Sequence, residues 1–317
     1  MSPNATLASN GISIERWTKS SRVALGCMAA VLGLLMFAPT VLGAGAIDRM
    51  TALFIYVILA AMWNALAGFG GLVSVGQQVF FGLGAYFTIR LADAGLNPFV
   101  ALFAAAIVTG ALSIPLSLFM LRLKGGEFAI GMWVVATLAH LLVNLDRLIQ
   151  GETGTSLISL NVYDSGTRRA TIYWLALIAM AALLGVRVIA TKRLLFVLAA
   201  FGIAVAGGLW LATATTFQPK TYFSVQWTAY MIFMVLVGGI GKFEGAILGA
   251  ILFFVIETFF GSAGVWYLIG LGATAVIFSL YLPRGLWGEI ERRFDFQLLP
   301  VGYRLKLPGP HKIKWEE

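Results

Sequence analysis

The sequence predicts an all-α polytopic membrane protein with about eight to ten transmembrane helices, some of them short or interrupted by glycine. Three observations carry that reading. The 317 residues are 60% hydrophobic and only 11% charged, with a mean hydropathy of +0.90, far beyond the apolar share of a soluble domain. Apolar runs of about 20 residues, the length that crosses a bilayer as a helix, recur along the whole chain with connections too short to fold on their own. Basic residues alternate in density between those connections: of the 22 Lys and Arg, all but Arg49, Arg90, Arg147, Arg168, Arg169 and Lys220 fall on the side of both chain ends. By the positive-inside rule that side is the cytoplasm, and the number of spans is even.

The elements follow in order. Residues 1–22 form a cytoplasmic amino-terminal segment, too long and polar to precede a cleaved signal sequence, so the apolar run 23–43 is read as a retained first span. Further spans are expected near 51–68, 76–92, 97–121, 128–145, 171–186, 194–212, 225–240, 245–260 and 264–282. They form one membrane domain over 23–283, with eight or nine spans instead of ten if short segments re-enter. The tail 284–317 is short and punctuated by proline, and is expected to lie at the cytoplasmic membrane surface.

Two of these segments are broken by glycine. In "GGLVSVGQQVFFGLGAYF" (70–87), Ser74 stands three residues before Gln77 and just ahead of an apolar run. That spacing is the capping-box pattern, so a helix is expected to start near residue 75 after a break at Gly68, Gly70 and Gly71. Lipid cannot satisfy free backbone N–H and C=O groups, so such a break survives only inside protein or beside a watery cavity. Gly82 and Gly84, with Ala85, are read as a helix contact; Ser74, Gln77 and Gln78 are read as lining a polar route, or as part of the same packing. The second break, "GGIGKFEGAILGA" (238–250), repeats Gly241, Gly245 and Gly249 every four residues as a smooth packing stripe, with Lys242 and Glu244 at a cytoplasmic turn. Paired interruptions of this kind hint at a site near the membrane middle.

Other polar groups are sparse. Thr137, His140, Asn144 and Arg147 share one helical face of the fifth span, where they meet cargo, a partner or one another. Glu257 in "FFVIETFF" is the most isolated acid in an apolar run, so it faces the bundle or a cavity unless it sits at the headgroups. The tryptophans Trp63, Trp133, Trp210, Trp227 and Trp266 fit interfacial belts more simply than a pocket. Enzyme chemistry finds no footing: the two histidines, His140 and His311, build no HExxH motif or metal centre, and no P-loop is present. Cys27 is the single cysteine, which excludes an internal disulfide. The net charge of +8 is accounted for by span-flanking residues and not by nucleic acid.

Four blocks then resemble one family. "NALAGFGGLVSVGQQVFFGLGAY" (64–86), "LRLKGGEFAIGMWVVA" (121–136), "WTAYMIFMVLVGGIGKFEGAILGA" (227–250) and "LPRGLWG" (282–288), in this order, are similar to the LivM-type permease subunits of ABC importers for branched-chain amino acids. The resemblance covers about residues 52–293. It implies a LivM/LivH-type permease bundle in the bacterial inner membrane, a related LivH-type permease beside it, two cytoplasmic ATPases and a periplasmic substrate-binding protein. ATP is used by the ATPases, no cofactor or metal is bound by this chain, and the small-molecule cargo is leucine, isoleucine or valine, with urea, amides or other amino acids as alternatives within the family. A self-sufficient secondary transporter or channel is the reading from a different class.

One departure stands out. Relatives carry a longer cytoplasmic segment, with an Arg-rich helix that docks on the ATPase, where this chain has only "GVRVIATKR" (185–193). The sixth span before it is also short on this reading, roughly 22 Å against a core of roughly 30 Å. Either Arg187, Lys192 and Arg193 still contact an ATPase, or the loop with Arg122 and Lys124 serves instead, or the chain is poorly coupled; impaired coupling is the expectation.

Overall fold

In a bilayer the backbone has no hydrogen-bond partner but itself, so apolar runs close into helices. The structure, a computed structural model, describes the backbone of residues 13–15, 19–185, 191–294 and 304–306. Arg187 and His311 lie outside the described residues. The helices are α1 (Lys19–Met36), α2 (Ala38–Val41), α3 (Ala44–Asn64), α4 (Gln78–Asp93), α5 (Pro98–Met120), α6 (Gly126–Asn144) and α7 (Ser165–Leu184). They continue with α8 (Lys192–Ala214), α9 (Pro219–Tyr222), α10 (Val225–Gly238), α11 (Phe243–Phe260), α12 (Val265–Tyr281) and α13 (Gly285–Phe294). A π-helical turn, Ala65–Phe69, extends α3.

Among the described residues, eight helices are long and apolar enough to cross a membrane. Two expected spans fall short of that length. The first is cut at Phe37, where α1 stops and the brief α2 carries Pro39 in its first turn. The third is α4, whose 16 residues reach about 24 Å, less than the roughly 30 Å of hydrocarbon. The sixth corrects the sequence reading in the other direction. α7 starts at Ser165, because Asp164 caps it by accepting from the Gly166 and Thr167 amides at 2.9 and 3.4 Å, and its 20 residues reach about 30 Å. The apolar pattern missed this first turn because it carries Thr167, Arg168 and Arg169.

α3 and α8 form the centre. Their apolar windows are 78% and 72% buried, against 22% for α6 and 11% for the last span. α4 is sandwiched between α5 and α8, and the contact is at backbone distance. A Cβ on Gly84 would lie 2.2 Å from the Ala204 carbonyl, and one on Gly207 would lie 2.0 Å from that of Phe81. Without a hydrophobic drive between helices in lipid, this close approach is what lets dispersion hold them.

Four short strands complete the chain: β1 (Ser13–Glu15), β2 (Thr155–Ser156), β3 (Thr216–Phe217) and β4 (Arg304–Lys306). The antiparallel pair β2–β3 joins the α6–α7 connection to the α8–α10 connection and marks one end of the bundle, the cap end. At the cap end Arg90 meets Asp146 at 3.0 Å and Arg169 meets Asp48 at 2.8 Å. The opposite end carries the α5–α6 turn with Arg122 and Lys124, both exposed, and the α10–α11 turn with Lys242. β1 pairs with β4, which brings the two terminal segments together.

Candidate functional site

The site begins where α3 loses its regular hydrogen bonding. Asn64, 1% exposed, ends that helix, and its side chain bridges to the second glycine break. Its Nδ2 donates to the Lys242 carbonyl at 2.9 Å, and its Oδ1 accepts from the Gly241 amide at 2.8 Å. Gly68 must be glycine here, because a Cβ would lie 2.5 Å from both Asn64 Oδ1 and the Gly241 nitrogen. The two glycine-broken segments therefore touch each other, at the end opposite the cap and not at mid-membrane. The contact lies next to Lys242, whose Nζ pairs with Glu291 at 2.6 Å.

Beyond the π turn the chain runs without regular structure from 70 to 77, then enters α4. The expected capping box does not form. Ser74 Oγ accepts from the Gly76 amide at 3.3 Å, and Gln77 precedes the helix with helical torsions and no side-chain cap bond. The competing interaction is the tertiary one: Trp63 Nε1 donates to the Ser74 carbonyl at 3.1 Å, and Gly76 is pressed against α6, where a Cβ would stand 2.0 Å from the Met132 carbonyl. Met132 is about 9 Å along α6 from its start, so this point lies well inside the bundle.

Gln77 and Gln78 then divide the roles the sequence left joined. Gln78 is locked to α10: its amide donates to Thr228 Oγ1 at 3.1 Å, and the Thr228 hydroxyl donates to Gln78 Oε1. Gln77 is 0% exposed, and neither its Nε2 nor its Oε1 has a hydrogen-bond partner. A buried amide left so costs the desolvation of both groups. It is the one member of the Ser74, Gln77 and Gln78 set with both side-chain polar atoms buried and without a hydrogen-bond partner.

His140 and Glu257 stand elsewhere. His140 stacks on Phe223 (ring centroids 5.7 Å) and sits 2.8 Å from Glu152, which also accepts from Asn144 Nδ2 at 2.6 Å and from the Lys220 amide at 3.0 Å. Of the predicted polar face, Thr137 bonds its own helix at the Trp133 carbonyl and Arg147 is exposed beyond the helix end, so only His140 and Asn144 converge. Burial raises the Glu152 carboxyl, but hydrogen bonds from Asn144, the Lys220 amide and His140 outweigh it and hold it below the ordinary carboxylate value. Asp146 behaves alike: burial raises it, and Tyr86 (2.7 Å), the Leu148 amide (3.0 Å) and Arg90 bring it below. These acids fasten the cap. Glu257 accepts from Tyr56 Oη at 2.9 Å, tying α11 to α3.

The glycine positions carry close packing of different kinds. Gly82 faces the Phe223 ring, with a Cβ position 2.6 Å from it. Gly245 and Gly249 lie against α10, where Cβ atoms would come 2.7 Å from the Gly239 carbonyl and 1.8 Å from that of Met234. Gly241 is not on that stripe: it sits in the turn before α11 with φ of +73°, a conformation suited to glycine. At the end opposite the cap, Lys192 and Arg193 are exposed at the start of α8. The tryptophans also divide: Trp63 and Trp227 are buried, while Trp133 and Trp266 are exposed on the outer surface of the bundle.

Sequence reasoning passed over Asn64, Thr228 and Tyr56. Asn64 and Tyr56 are lone polar residues in apolar runs and Thr228 stands between Gln226 and Tyr230, a signal that was present but has no visible partner until the helices meet. No group of three or more His, Cys, Asp or Glu arranged to hold a metal occurs among the described residues.

A bundle of apolar helices, closely packed on glycine, with eight of them among the described residues long and apolar enough to cross a membrane, defines a polytopic membrane protein. Residues 178–281, from α7 to the end of α12, match the family described as branched-chain amino acid transport system / permease component. The chain is similar to the high-affinity branched-chain amino acid transport system permease protein LivM of Salmonella typhimurium, 24% identical over 314 residues that cover 82% of this chain and 74% of the relative. It is likewise similar to LivM of Escherichia coli, 25% identical with the same coverage. No solved structure matches it. On these matches the chain is similar to permeases of the LivM type.

Proposed function

We propose that this chain is the membrane permease subunit of an ABC importer for branched-chain amino acids, seated in the bacterial inner membrane with both termini in the cytoplasm. The observation that carries the reading is the family match over 178–281 joined to the LivM similarity over most of the chain. The partners are a LivH-type permease, two cytoplasmic ATPases and a periplasmic substrate-binding protein, and the chain itself performs no catalysis. Its cap end faces the binding protein.

In this function the chain supplies part of a gated path, and Gln77 is the residue that meets the solute inside it. Gln78 and Thr228 hold α4 to α10 beside Gln77. ATP binding and hydrolysis on the partners supply the bias between inward-open and outward-open states. Arg122 and Lys124, with Lys192 and Arg193, are the exposed basic groups offered to an ATPase; the short 185–193 connection makes that coupling weak.

The test is reconstitution of this chain with its partner permease, ATPases and binding protein in proteoliposomes, with uptake of radiolabelled leucine measured against competing isoleucine, valine and urea. Uptake competed by isoleucine and valine is expected. Uptake competed by urea alone moves the cargo to amides, and uptake that needs no ATPase refutes the importer. Weak coupling predicts that leucine stimulates ATP hydrolysis by the reconstituted complex only slightly; strong stimulation refutes it.

A further inference from the structure

A second polar feature lies away from Gln77. At the cap end, α3, α7 and the end of α8 line a half-open cavity of about 320 Å³, at the low end of the range of roughly 300–1,000 Å³ typical of small-molecule sites. Its walls include Asp48, Arg168, Arg169, Ile172 and Trp210. Arg168 and Arg169 belong to the short first turn that the Asp164 cap adds to α7.

The charges are unequally engaged. Arg169 Nε donates to both Asp48 oxygens, at 2.8 and 3.0 Å. The Arg168 side chain has no hydrogen-bond or ion-pair partner among the described residues, and it is only partly exposed. A carboxylate has about four acceptor positions, so Asp48 keeps capacity after Arg169 is served. The cavity thus offers a free guanidinium and a carboxylate that still accepts. Its apolar wall is fixed: Ile172 is 3% exposed, and Trp210 packs edge-on against Trp227 with centroids 4.9 Å apart and against Tyr56 at 6.1 Å. Two adjacent arginines are also out of place by charge distribution, since basic residues are sparse at this end.

We propose that this cavity is a vestibular site for an aliphatic α-amino acid zwitterion, distinct from the Gln77 position. Arg168 takes the α-carboxylate by charge-assisted hydrogen bonds, Asp48 accepts from the α-ammonium, and the aliphatic side chain lies on Ile172 and Trp210. The assignment of an amino acid rests on the function proposed above; the presence of a site for a zwitterion with an apolar side rests on the cavity alone. The site would receive cargo at the cap end before it reaches the path.

The experiment uses the full chain in nanodiscs made from phosphatidylcholine and phosphatidylglycerol, with no binding protein present. Binding of radiolabelled L-leucine is measured by equilibrium dialysis and by tryptophan fluorescence. Saturable binding is expected, weaker by about tenfold or more for leucinamide, which lacks the carboxylate, and for isocaproate, which lacks the ammonium, as follows from losing one charge-assisted contact. Arg168→Gln lowers leucine affinity by about the same factor, while Arg168→Lys retains part of it. Trp210→Phe removes the fluorescence response.

No saturable binding, equal affinity for isocaproate, or an unchanged affinity in Arg168→Gln would overturn the proposal. Loss of leucine binding when phosphatidylethanolamine is added also overturns it, because the zwitterion held there is then a lipid headgroup. Leucine uptake by the complete importer is measured in parallel. Uptake without direct binding removes the vestibular site and leaves the proposed function; absence of both removes both.

Discussion

Replacing Gln77 by leucine should make the protein more stable and less active. The side chain is 0% exposed and both of its amide atoms lack partners, whereas its neighbour Gln78 shares two hydrogen bonds with Thr228. An unsatisfied buried polar group costs roughly 1–3 kcal/mol, and an apolar group of similar volume does not carry that cost. Because polar contacts inside membranes are often worth about 0.6 kcal/mol, the gain expected from Gln77→Leu is at the low end, about 2 kcal/mol for the two atoms together. Gln78→Leu should change stability in the opposite direction, by about 1–2 kcal/mol, since it removes the acceptor of the Thr228 hydroxyl while keeping the backbone bond. The assay is SDS-induced unfolding of each purified variant, with leucine uptake measured on the reconstituted complex. A rise in stability with loss of uptake for Gln77→Leu, beside a fall in stability for Gln78→Leu, is the expected pair. If Gln77→Leu lowers stability as much as Gln78→Leu, the Gln77 amide is a structural contact and the path assignment fails.

Asn64→Ala removes both bonds that join the α3 end to the α10–α11 turn and strands the Gly241 amide and Lys242 carbonyl; unfolding should show a loss of about 2–3 kcal/mol, and Asn64→Asp should recover part of it through the retained acceptor. Gly249→Ala places a Cβ 1.8 Å from the Met234 carbonyl and should cut the yield of folded protein, while Gly270→Ala, with nothing within 4 Å, should express as the parent does. The cap should loosen in acid. Asp146 and Glu152 are held below their ordinary values of 3.8 and 4.5, so their contribution is complete above those values and is lost as pH falls through the lowered ones. Thermal unfolding of the nanodisc-embedded chain between pH 6 and pH 3, run beside Asp146→Asn and Glu152→Gln, checks this; a flat difference between parent and double variant across that range contradicts it.

The glycine breaks were legible because lipid leaves little else to explain them: a run such as 68–77, rich in glycine and amides inside an apolar chain, must be irregular and must be buried. The helix start there was misread for a physical reason. A capping box is a local device, and it loses when Trp63 claims the Ser74 carbonyl and α6 claims Gly76. The length of α7 was misjudged because a first turn at the membrane edge is polar, so hydropathy ends before the helix does.

Composition and period alone determined an all-α bundle, most of its spans, the basic end and the glycine-bearing contact segments, because the bilayer imposes one secondary structure on every long apolar run. What only the tertiary structure decided is which polar groups are spent. Asn64 reaches Gly241, Gln78 reaches Thr228 and Tyr56 reaches Glu257 across separations of 177, 150 and 201 residues. No local pattern records such pairings, since they exist only once helices distant in sequence are pressed together. Gln77 is singled out by the same packing, as the amide that none of those meetings satisfies.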